Sequence, residues 1–164
     1  MTSRRLNPVV VFSVLILALP IGVLHGQVAV SRKNVQGLLT IGVVQNAAEF
    51  TGSGCKLWLP SEKYSAEHYI FLSDVEGHGI VNLDGRDTKL NLVRSREPKG
   101  EIRKGDRSTH WYMADAIAVR VDYVVTGLCP PDDESCEVIY YRATVVVGNR
   151  SVKQTLTARG ICGS

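Results

Sequence analysis

The sequence predicts an all-β fold, a small antiparallel sandwich or barrel of about seven or eight short strands, stapled by disulfides. Three observations predict it. Runs rich in Val, Ile, Tyr and Thr recur through residues 56–158, separated by turn residues. No stretch beyond the first thirty residues shows a convincing helical period of apolar side chains. Four cysteines, Cys55, Cys129, Cys136 and Cys162, all follow an amino-terminal segment that reads as an export signal.

That signal is residues 1–30. Arg4 and Arg5 give a positive start, and residues 9–24 form an apolar run broken only by Ser13, Pro20 and Gly22. Charge, a short apolar run and a polar exit is the pattern of an exported chain. The run falls slightly short of the ~20 residues a bilayer span needs. Its competing reading is an uncleaved anchor, the only expected route to a membrane. Residues 31–54 are expected to be a tether whose apolar patch, residues 38–44, docks loosely. Residues 55–164 are expected to form the β domain.

The elements follow in order. Residues 56–59 make a short strand ended by Pro60, and the polar residues 61–67 make a loop or one helical turn. Residues 68–72, 79–83 and 88–93 form a three-stranded meander. Its second reversal is Asp84-Gly85, a pair suited to a turn with positive φ at both central residues. Residues 94–109 are charged and interrupted by Pro98, Gly100 and Gly105, which suggests an exposed loop or ragged hairpin. Apolar character returns at His110 to Met113. The strongest signature lies in residues 118–147, where two branched and aromatic runs flank Cys129-Pro-Pro-Asp-Asp-Glu-Ser-Cys136. Branched and aromatic side chains suit a pleated surface, and Pro-Pro-Asp-Asp suits a reversal. Gly148-Asn149 turns the chain into a last strand, residues 151–158.

An even cysteine count in an exported chain reads as two bridges. Cys129–Cys136 would staple the hairpin across its turn, and Cys55–Cys162 would join the ends of the domain. Zinc fits poorly, because six residues separate Cys129 from Cys136 and His110 is the nearest histidine in sequence. The formal net charge of +3 over 164 residues, with 7% aromatic residues, is too mild and scattered for a nucleic-acid binder.

No catalytic constellation, metal set or cofactor motif stands out: there is no Gly-x-Ser-x-Gly elbow, no phosphate loop and no paired-histidine motif. Two stretches are candidates for binding. The basic run holds Arg94, Arg96, Arg103, Lys104 and Arg107, with Trp111 and Tyr112 just after it, and could meet an anionic surface. The acidic turn holds Asp132, Asp133 and Glu134, and suits a basic protein partner or a hard cation. The resulting expectation is a non-catalytic binding or interaction protein of the cell envelope or extracellular space, meeting an envelope protein or an anionic surface. The alternative is a small-ligand carrier or hydrolase with a site at a barrel mouth, lined by residues such as Trp58, Tyr69, Phe71, Trp111 and Tyr123.

Overall fold

The computed structural model describes residues 39–163 apart from 51 and 134. The expected export signal, residues 31–38 of the expected tether, and Glu134 therefore lie outside the described residues. Nine strands follow in order: β1 (Ile41–Gly42), β2 (Gly54–Trp58), β3 (Tyr69–Asp74), β4 (His78–Leu83), β5 (Arg86–Arg96), β6 (Arg107–Ala114), β7 (Ile117–Gly127), β8 (Val138–Gly148) and β9 (Lys153–Gly163). Among the described residues helix is confined to two three-residue 3-10 turns, Ala47–Glu49 and Ala66–His68.

From β2 to β9 each strand pairs antiparallel with the next, and β9 returns to pair with β2. The architecture is a closed eight-stranded up-and-down barrel with β1 added, which decides barrel over sandwich. Strand β1 pairs with Asn82 and Leu83 of β4, just beyond Gly79, Ile80 and Val81, which pair with β3. The Asp84-Gly85 reversal has φ of 51° and 81°, both positive as the sequence predicts.

Period-two alternation fills the interior. Val119, Val121 and Tyr123 of β7, and Ala143, Val145 and Val147 of β8, are buried inward; Phe71, Leu57, Val81 and Leu90 meet them. The closing seam carries the first disulfide, since Cys55 and Cys162 are opposed partners across β2 and β9. The second, Cys129–Cys136, spans the β7–β8 connection. Both pairings are those the sequence predicts. Gly160 is required at the seam, because a Cβ there would lie 2.2 Å from the Lys56 carbonyl oxygen.

Residues 94–109 form the expected hairpin with an exposed connection: β5 runs to Arg96, residues 97–106 reverse the chain, and β6 starts at Arg107. One expectation changes. Residues 39–50 are part of the folded barrel rather than a loose tether. Leu39 is buried in the main core, and the Ile41 amide donates to Gln154 Oε1 at 3.1 Å. Val44, with Ala47 and Phe50, packs on a second apolar cluster made by Trp58, Tyr69, Leu72 and Ile80. A bulge opposite Leu57 and Trp58 turns Ile70 as well as Phe71 toward the main core. Strand β3 is thus buried on both faces.

One carboxylate clasps this amino-terminal segment. Asp87 accepts from the Gln45 amide (2.9 Å), the Asn46 amide (2.7 Å), Asn46 Nδ2 (3.0 Å) and Asn82 Nδ2 (2.8 Å). Burial pushes its pKa up, but bonds from Asn82, Gln45 and Asn46 outweigh burial and hold it below the ordinary carboxylate value.

Candidate functional site

The register places two rows of side chains on the outer wall across β5 to β9. In one row Met113 of β6 faces Ala118 of β7, which faces Gly148 of β8, which faces Lys153 of β9. In the next, Arg94 of β5 faces Trp111, then Arg120, then Val146. Small residues at Ala118 and Gly148 leave a dip between larger neighbours. Gly148 is also held small from within, as a Cβ would meet the Val152 carbonyl oxygen at 3.0 Å.

The result is a groove of about 780 Å³, within the size range of small-molecule sites. Its apolar lining includes Val93, Trp111, Met113 and Val146. Val93 and Met113 are 56% and 45% exposed, large apolar side chains left in water on a folded wall. Val93 lies where the β5–β6 register shifts between Leu92 and Arg94, so a bulge turns it outward. The charged lining is one-sided, with Arg94, Arg120, Arg150 and Lys153 against Asp115 alone. The Arg94 guanidinium lies 4.9 Å from the Trp111 ring centre, and Arg120 Nε donates to Asp122 at 3.0 Å.

The sequence candidates divide around this groove. Arg94 and Trp111 line it. Arg96 ends β5, Arg103 and Lys104 lie in the β5–β6 connection, and Arg107 opens β6. The basic run is therefore no single surface. Arg103 lies 3.9 Å from Glu101, and its amide donates to Asp106 at 2.8 Å. Tyr112 follows Trp111 by one residue, so the pleat turns it inward, where it is 2% exposed. In the acidic turn Asp132 is exposed, and Asp133 accepts from the amide and hydroxyl of Ser135 as a turn cap. Arg120, Arg150, Lys153, Met113 and Val146 were not singled out from sequence. The available signal was apolar residues at outward positions of alternating strands.

The barrel mouth gathers a different set. A cavity of about 300 Å³ is bordered by Ser73, Asp74, His110, Tyr112 and both seam cysteines. His110 bridges Glu97 through Nε2 and the Tyr112 hydroxyl through Nδ1, the latter at 3.3 Å. Burial drives the Tyr112 pKa up despite a hydrogen bond with Ser73, so its hydroxyl stays protonated at neutral pH. The expected carrier lining is also split by the pleat. Phe71 and Tyr123 face the main core, Trp58 and Tyr69 belong to the outer cluster, and Trp111 lines the groove.

Asp74, Glu76 and His78 bring ligand atoms within 4.8 Å of one another at the β3–β4 turn. Both Asp74 oxygens accept from His78, one from its amide at 2.8 Å and one at Nδ1 at 2.9 Å. Burial raises the Asp74 pKa, and the two bonds from His78 outweigh it and lower it overall. The trio is accounted for as the closure of its turn. Compared with known protein families, characterised proteins and solved structures, the chain matches none, so the groove and the mouth stand on their own chemistry.

Proposed function

We propose that this chain is a non-catalytic binding protein of the cell envelope or extracellular space, and that its binding face is the outer groove across β5 to β9. The observation that carries this reading is the one-sided charge over an apolar floor: Arg94, Arg150 and Lys153 stand against Asp115, with Arg120 paired to Asp122, around exposed Val93 and Met113. A concave apolar floor with a few charged groups at its edge is the usual make-up of a ligand site, and the charge asymmetry selects an anionic partner. The amino-terminal export pattern and the two disulfides support an oxidising, exported setting. The filled barrel interior weighs against an internal carrier site.

Two charge reversals of equal size test the face. Arg150→Glu with Lys153→Glu alters the groove, and Lys99→Glu with Lys104→Glu alters the β5–β6 connection. On a dextran sulfate column the groove variant is expected to elute at clearly lower salt than the connection variant. Equal elution, or a larger effect from the connection, would overturn the assignment.

A further inference from the structure

Which kind of anion the groove accepts follows from what its walls lack. Strands β6, β7 and β8 are interior members of a closed sheet, and their backbone groups are committed to ladders on both sides. The groove therefore presents side chains, with no free strand edge to pair with an incoming peptide. An extended peptide laid along the floor would bury its own amides against Val93, Met113, Ala118 and Val146 without partners, which is costly. A hydrocarbon chain carries no such groups. Ala118 and Gly148 form the low point of the floor, and Met113 and Trp111 rise on the β6 side.

Arg120 stands in the row between Trp111 and Val146, held by Asp122, and the other cations stand at the rim. Arg150, in the β8–β9 turn, and Lys153, at the start of β9, have no acidic partner among the described residues. Arg94 is stacked on Trp111 at the opposite side. An apolar channel with unneutralised cations at its end matches an amphiphile with a single alkyl chain and an anionic head. We infer that the groove binds a monomeric anionic amphiphile, its chain along the Met113–Ala118–Gly148 floor and its head at Arg150 and Lys153. This inference rests on the proposed binding face and adds the ligand class.

A chain-length series tests it, with butyl, octyl and dodecyl phosphate kept below their micelle concentrations and inorganic phosphate as the headgroup alone. Binding is read by calorimetry on the full folded domain. Each methylene seated on the floor should strengthen binding by about fourfold until the groove is filled. Arg150→Glu with Lys153→Glu should weaken dodecyl phosphate by about tenfold or more through lost charge pairing. Ala118→Phe, an exposed substitution on the outer wall, should abolish the chain-length dependence. Dodecyl maltoside, with the same chain and a neutral head, should bind at least tenfold more weakly by the same charge argument.

Binding independent of chain length would overturn the inference, and so would capture of phosphatidylglycerol vesicles without any binding of the monomers. Either result, with the groove charge reversal still lowering dextran sulfate retention, would leave the binding face standing. Failure of both experiments would remove the binding face as well.

Discussion

Tyr123 shows how one atom can decide a residue's contribution. Its ring is 1% exposed and packs edge-on against His110 and Tyr141, with centres 5.1 and 5.3 Å apart. Its hydroxyl has no hydrogen-bond partner among the described residues. Burial forces its pKa well above the ordinary tyrosine value, so the group is a neutral, unpaired dipole in the core. Such a group costs stability where a ring alone would not. Tyr123→Phe should therefore raise the unfolding free energy by about 1 kcal/mol, measured by urea denaturation. A loss of stability would mean that the hydroxyl has a partner in solution.

Asp87 works in the opposite sense, since four donor groups from residues 45, 46 and 82 converge on its carboxylate. Asp87→Ala should cost about 1–3 kcal/mol at neutral pH, the range for hydrogen bonds to a charged group. The pH dependence has a definite sign. A carboxyl whose folded pKa lies below its unfolded value of about 3.9 stabilises the fold above that value. The contribution is lost as pH falls through the lower folded value. The gap between wild type and Asp87→Ala should thus be constant from neutral pH down to about 5 and shrink below about 4. A gap unchanged at pH 2 would show that the carboxylate charge is not what holds the segment.

At the scale of elements, legibility followed alternation. The β7–β8 hairpin was readable because Val119, Val121 and Tyr123 alternate with outward residues along an unbroken ladder. Both disulfides were readable from cysteine placement alone. Residues 39–50 were not, because their contribution is made by isolated side chains, Leu39, Val44 and Phe50, pinned by Asp87 some forty positions away. Gly160 and Gly163 resemble breakers, so the sequence predicts a last strand that stops at residue 158, whereas β9 runs to Gly163. In the folded chain Gly160 instead lets β9 approach β2 closely. The groove is illegible in the sequence for a related reason. It combines residues from β5, β6, β7, β8 and β9, and only the register brings Trp111, Arg120 and Val146 into one row. A contiguous basic run was the visible signal, yet the pleat and the chain reversal disperse it.

At the scale of the whole molecule, the barrel is a succession of local hairpins with one long-range closure. Every pairing from β2–β3 to β8–β9 joins neighbours in sequence, whereas β2–β9 joins the ends of the barrel. Loop-closure entropy therefore concentrates at the seam, where Cys55 and Cys162 are separated by 107 positions. The hairpin bridge spans a separation of only 7. In the chain-entropy model a loop of that larger size is worth about 4–5 kcal/mol, against about 2–3 kcal/mol for the short one. Replacing Cys55 and Cys162 by serine should accordingly lower stability about twice as far as replacing Cys129 and Cys136. Urea denaturation of the two double variants measures the difference directly. The seam variant should also expose β2 and β9 amides to hydrogen exchange before those of β7, whose ladders on both sides remain local. Equal losses from the two variants would mean that the closed sheet holds its seam through packing alone, with Leu57 against Gly160 rather than the covalent link setting the closure.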